Sequence, residues 1–124
     1  MGKIKSHKEL NVYKLAYEAA LELHEITKSF PQDEKYSLTD QIRRSSRSVC
    51  ANLAEAWRKR RYKKNFISKL SDSEAEAGET QVWIDMAESF KYIDNKTHNS
   101  LFDKYEHIIA MLINISNQSE KWTL

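Results

Sequence analysis

The sequence predicts an all-α protein, an antiparallel up-down-up-down four-helix bundle forming a single domain over residues 1–124. Three observations carry that prediction. Only two glycines and one proline stand among the 124 residues, too few breakers for a chain of many strands and turns. Apolar residues recur at steps of three and four along four long segments. The stretches between those segments are short, which makes successive helices antiparallel neighbours. A chain of this length buries roughly two thirds of its unfolded surface in one core.

The first helix is expected from about Lys8 to Phe30, with Val12, Leu15, Ala19, Leu23, Ile26 and Phe30 on its inner face. Pro31 closes it, because the residue before a proline is pushed out of the α region. Ser37 is the expected N-cap of the second helix, with Asp40 as its capping-box partner. That helix runs to about Arg60, and its core face is Leu38, Ile42, Ser45, Ser46, Val49, Leu53 and Trp57. Its many small polar residues suit close helix approach, with serines bonding back to helix carbonyls.

The third helix is expected from near Arg61 to about Lys91. Phe66, Leu70, Ser73, Ala77, Thr80, Ile84 and Ala87 alternate at four and three, a coiled-coil-like seam. Gly78 sits inside it at a cost of ~1 kcal/mol relative to alanine. "YIDNKT" reads as a loop. The fourth helix spans about Thr97 to Gln118, with Leu101, Tyr105, Ile108, Leu112 and Ile115 inward.

Composition narrows the function classes. One cysteine, Cys50, excludes an intramolecular disulfide and fits a reducing compartment. The opening "MGKIKSHKEL" has no apolar stretch of the kind a signal peptide needs. "IIAMLINI" is far too short to span a bilayer. The cytoplasm is therefore the expected location, with no membrane partner. A carboxylate-bridged metal pair needs Glu-x-x-His on two helices. Ile4, Leu21, Asn95 and Lys104 stand three residues before the four histidines, so the motif is absent. No G-x-S-x-G is present, and two glycines cannot build a phosphate-cradling loop. Arg47 lies one turn before Cys50, but no histidine is near it in sequence to act as a base, so a packed, inert thiol is expected. The sequence thus points to no enzyme, no metal and no cofactor.

Charge is placed unevenly. From Arg43 to Lys64 there are nine Lys or Arg residues against one acid, Glu55. From Ser71 to Ser89 there are six acids and no Lys or Arg. On a helical wheel Arg43, Arg44, Arg47 and Arg58 lie roughly opposite the core stripe of the second helix. Lys59, Arg60, Arg61, Tyr62, Lys63 and Lys64 continue that stripe into the junction with the third helix. Such a surface suits the phosphates of RNA or DNA, with Trp57 and Tyr62 as stacking planes. A solvated stripe, or one paired with the acids of a neighbouring subunit, is the alternative. Two apolar faces also exceed what one bundle needs. Tyr13, Tyr17, Leu21 and His24 line the outside of the first helix. Trp83, Met86 and Phe90 widen the apolar arc of the third. Both suggest a homo-oligomer interface.

The pieces "VYKLAYEAALELHEIT", "FPQDEKYSLTDQIRRSSRSV", "ANLAEA" and "ETQVWIDMAESFKYI" stand in order over most of the chain. Together they resemble the 23S rRNA-intervening-sequence protein family, also called four-helix bundle proteins. The resemblance implies a left-handed up-down bundle and suggests a ring-shaped pentamer, seen among similar proteins. The family takes its name from reading frames inside intervening sequences of bacterial 23S rRNA genes. It is similar to accessory proteins of diversity-generating retroelements, which bind nucleic acid through a basic surface. None of its members is known as an enzyme. Cys50 stands where members often have proline, which removes the expected kink. Ala56 stands where many have glycine, so the second helix is expected to continue further here.

Overall fold

The computed structural model describes residues 3–124; Met1 and Gly2, the first residues of the expected domain, lie outside them. Among the described residues there are four α-helices and no strand: α1 (Asn11–Thr27), α2 (Leu38–Arg58), α3 (Lys63–Ser89) and α4 (Asn95–Asn117). Each packs on the next, and α4 closes on α1. The result is the expected all-α four-helix bundle. Single 3-10 turns at His7–Glu9, Gln32–Glu34 and Ser119–Lys121 flank the helices.

The central helices follow the sequence pattern closely. All seven residues expected inside on α2 are buried, joined by Thr39 and Ala56. All seven seam residues of α3 are buried. The α2–α3 contact is built from small side chains. Thr80 Oγ1 lies 2.8 Å from Ser45 Oγ and 2.8 Å from the Glu76 carbonyl oxygen. One proton assignment satisfies both: Thr80 donates to the carbonyl and accepts from Ser45. Ser73 donates to the Val49 carbonyl at 2.8 Å, across the seam. Only Ser46, bonding back to the Arg43 carbonyl at 3.1 Å, follows the local pattern expected for serines, because the Ser45 proton is given to Thr80.

The helix ends depart from expectation. α1 begins at Asn11, because Ser6 and Glu9 form a capping box around the preceding 3-10 turn instead. Its buried stripe is Val12, Ala16, Ala19, Leu23 and Thr27, while Leu15 and Ile26 are half-buried. Ser37 does not cap α2 with its side chain. Glu34 does: its carboxylate accepts from the Leu38 N–H at 3.2 Å, from the Ser37 hydroxyl, and from the Tyr92 hydroxyl at 2.8 Å. Those bonds hold the Glu34 carboxyl below the usual carboxylate range, the Ser37 hydroxyl first. They also tie the α1–α2 loop to the α3–α4 loop. α4 starts at Asn95, two residues early, with Asp94 accepting from the Thr97 N–H at 2.8 Å. Ile115, expected inside, is half-buried.

The second helix does not continue past Arg58. Lys59 caps it, and α3 begins at Lys63. The basic run therefore spans the end of α2, the link and the first residues of α3. Cys50 sits within the continuous helix α2.

Gly78 has helical backbone, and a Cβ built there meets nothing within 4 Å. Replacing Gly78 by alanine is expected to stabilise the bundle by about 0.4–1 kcal/mol. Urea unfolding at dilution should show a raised midpoint with an unchanged slope.

Candidate nucleic-acid interface and assembly faces

The structure divides the basic block into three parts. Arg43 is committed to the fold. It lies on the flank of α2 towards α1, where its Nε donates to Thr27 Oγ1 at 2.8 Å and its Nη2 to the His24 carbonyl at 3.4 Å. Thr27 is the buried last residue of α1. A cation there complements the negative end of the helix dipole. Its half-buried side chain is a helix cap, not a member of the open stripe. Arg60 is likewise engaged. Its guanidinium stacks 3.5 Å from the Trp57 ring centroid, and its Nε donates to the Trp57 carbonyl at 2.8 Å.

Arg44 and Arg47 form the second part, exposed in the middle of α2. Arg44 reaches Gln41 Oε1 at 3.5 Å. Arg47 Nη2 lies 3.3 Å from His24 Nδ1. A guanidinium can only donate, so that ring nitrogen is the acceptor. Tyr36, 86% exposed, and Lys35, whose ammonium lies 5.3 Å over its ring, share a shallow cleft with these arginines. Tyr36 escaped the sequence reading because it stands alone in a loop, outside any periodic pattern.

Arg58, Lys59, Arg61, Tyr62, Lys63 and Lys64 form the third part, at one end of the bundle, and all are exposed. Lys63 lies 3.9 Å from the Glu120 carboxylate. Glu55, the acid nearest in sequence, is held by Lys69. Among the described residues Arg58, Lys59, Arg61 and Lys64 make no ion pair. The link ends at the N-terminus of α3, which has no side-chain cap and no acid in its first turn. Its free N–H groups and the positive end of its dipole add to the cations already there. Tyr62 is 59% exposed beside them. Trp57 offers no stacking plane, since it is buried between Arg60 and Trp122.

The expected oligomer faces are only partly open. Tyr17 and Leu21 are exposed on α1, as are Met86 on α3 and Phe90 just beyond it. Tyr13 is half-buried, stacked on Tyr17 at 5.9 Å and against the core. Trp83 is also packed against the core, with its indole nitrogen fully buried. Neither is a free surface residue. Val82, which the sequence reading passed over, is 46% exposed.

A model of the 23S rRNA-intervening sequence protein family matches residues 8–114, most of this bundle. The chain belongs to that family. It is also similar to the crystal structure of a protein with unknown function from the S23 ribosomal protein family of Bacteroides thetaiotaomicron. The identity is 28%, the TM-score 0.77, and the match covers 86% of this chain and 95% of that one. Among curated proteins, none matches.

Among the described residues no three His, Cys, Asp or Glu side chains meet as a metal site, and no helix is long and apolar enough to cross a membrane. Burial pushes the Cys50 thiol up to about 11, so it stays protonated at neutral pH. His98 is the best-held histidine. Its Nε2 lies 2.7 Å from Asp85, and its Nδ1 lies 3.0 Å from Asn99 and 3.8 Å from Glu88. This joins α4 to α3 and occupies two of the six acids of the acidic block.

Two predictions follow from these positions. Arg43→Ala is expected to destabilise the fold by roughly 1.5–3 kcal/mol, the usual worth of charged hydrogen bonds, whereas Arg44→Ala stays within about 0.5 kcal/mol of the parent. Chemical unfolding of both variants measures the contrast. The second concerns pH. The Asp85 contact, then Asn99, raises the His98 pKa above its ordinary 6.5. Its stabilisation is complete below the unfolded value and fades as pH rises through the folded one. Melting temperature should therefore carry a downward step above pH 6.5 that His98→Gln removes.

Proposed function

We propose that this family member is a non-enzymatic, self-associating bundle of the cytoplasm that holds RNA or DNA at its basic end. The observation that carries this reading is the group of unpaired cations on the α2–α3 link, set on the uncapped N-terminus of α3. Phosphate contacts by Arg58, Lys59, Arg61, Lys63 and Lys64 supply the grip, and Tyr62 offers a base a stacking surface. Arg44 and Arg47 lie further along α2, with Tyr36 in the loop before it, and lengthen the track. Arg43 and Arg60 support the surface from beneath through their bonds to α1 and to Trp57. A grip of this kind reads charge, not sequence.

Self-association rests on the exposed Tyr17, Leu21, Met86 and Phe90. A ring of five is the assembly that the family resemblance makes the first to test. A second reading, a scaffold that binds no nucleic acid, is favoured by Glu74, Glu76 and Glu79, which make no ion pair among the described residues. Acids of that kind can hold the basic residues of a neighbour.

Fluorescence anisotropy with labelled RNA and DNA separates the two readings. Binding is expected at low salt, with affinity falling as a power of salt concentration. The triple variant Arg58→Glu, Arg61→Glu, Lys64→Glu should abolish it without changing the helical signal. Unchanged binding by that variant at low salt would sink the nucleic-acid reading.

A further inference from the structure

Six tyrosines stand in the chain. Tyr13, Tyr92 and Tyr105 pack against other side chains of the fold, and Tyr17 stacks on Tyr13. Tyr36 and Tyr62 are left, 86% and 59% exposed, and neither packs on the core. One stands in the loop before α2 and the other on the link after it. The 21 residues of α2 between them span about 30 Å, at ~1.5 Å for each residue. A lone exposed aromatic needs no explanation. These two differ, because they stand at opposite ends of a helix whose outer face is basic, each with cations beside it.

The cleft at the Tyr36 end has a volume of about 580 Å³ and holds Lys35, Asp40, Arg44, Arg47 and Ser48 beside the ring. The Lys35 ammonium lies 5.3 Å over that ring. Arg47 has only a histidine nitrogen beside it, and Arg44 acts on the Glu76 carboxyl of α3 without forming an ion pair. Asp40 makes no ion pair among the described residues either. A carboxylate in the cleft repels a phosphate but accepts from the amino group of a base. Ala51 and Ala54 come next on the outer face, too small to interrupt it, and lead to a smaller hollow beside Glu55, Arg58 and Lys59. A turn closed by the Tyr62 N–H on the Lys59 carbonyl, at 3.0 Å, then sets Tyr62 between Arg61 and Lys63 in the chain. A ring with cations beside it suits an unpaired base and its phosphate. A duplex keeps its base faces inside the stack and gives such a ring nothing to cover.

We propose that the outer face of α2 is a track for single-stranded nucleic acid, with one unpaired base stacked on Tyr36, another on Tyr62, and the phosphates between them on Arg44, Arg47 and Arg58. The inference rests on the nucleic-acid reading above and names its substrate as a strand with unpaired bases. Asp40 accepts from the amino group of the base on Tyr36. Charge alone predicts the opposite preference. A duplex carries one phosphate per ~1.7 Å of its axis, twice the density of one of its strands, so a purely electrostatic grip favours it. The two tyrosines reverse that order, because each stacked base adds a contact that the duplex does not supply.

Competition binding on the full chain tests this with a labelled strand of adenine and cytosine alone, which cannot pair with itself, and with the duplex that it forms with its complement. A length of about 15 nucleotides lies within the site sizes of such surfaces, and the pair is made once in DNA and once in RNA. At equal salt the strand is expected to bind more tightly than the duplex. Tyr36→Ala and Tyr62→Ala should each weaken the strand by about 5-fold or more and leave the duplex unchanged, while Tyr36→Phe and Tyr62→Phe keep the affinity of the parent. Both rings are exposed, so the helical signal should not move in any variant. A preference for the strand in RNA or in DNA alone names the polymer and upholds the inference. A duplex that binds as tightly as the strand in both polymers overturns it and leaves the charge grip standing. So does a strand affinity indifferent to either alanine, or a phenylalanine variant as weak as its alanine counterpart. If neither strand nor duplex binds at low salt, the inference falls together with the nucleic-acid reading.

Discussion

The close approach of α2 and α3 is the constraint on which the rest of this molecule depends. Ser45, Ser46, Ser73, Ala77 and Thr80 are all buried at that contact. Small side chains bring two helix backbones together but contribute little apolar area, so hydrogen bonds must satisfy the hydroxyls left inside. The Thr80–Ser45 and Ser73–Val49 bonds do so across the seam. Larger residues elsewhere fill the core: Leu23, Ile42, Leu53, Ile84, Tyr105 and Leu112. The seam fixes the rotation of α2, and with it where every arginine on that helix points.

Rotation explains why a basic block that looks continuous in the sequence becomes three separate things in space. Arg43 falls on the flank of α2 and meets the carboxyl end of α1. Arg44 and Arg47 fall on the outer face. Arg58 ends the helix, Lys59, Arg60 and Arg61 lie on the short link, and Lys63 and Lys64 open α3. Acids within the chain relieve the repulsion among them only in part, since Glu55 is held mainly by Lys69, with Lys59 a lesser neighbour, and Glu120 approaches Lys63.

Much of the fold was legible in the residues. The alternation of four and three from Phe66 to Ala87 located the seam of α3 residue by residue, because only one face of a straight helix matches that spacing. Helix ends were less legible. Ser37 carries the right side chain for a cap, yet Glu34 performs the role, since a 3-10 turn brings its carboxylate over the first N–H groups of α2. The candidate site was legible as composition but not as geometry. Trp83 and Tyr13 read as surface aromatics because a wheel records direction and not the depth of neighbouring helices. Tyr13 is covered by His7 of the preceding 3-10 turn, and Trp83 packs against Phe30 of the α1–α2 loop and Leu38 of α2.

By itself the sequence determined the number of helices, their inward faces and the presence of one basic and one acidic block, because periodicity and charge are local properties of the chain. Tertiary structure alone decided which cations are free. Whether a cation caps a neighbouring helix, meets a partner or faces water depends on groups far away in sequence: Thr27 for Arg43, His24 for Arg47, and Glu120 for Lys63. Packing sets those distances, and no spacing along one helix encodes them.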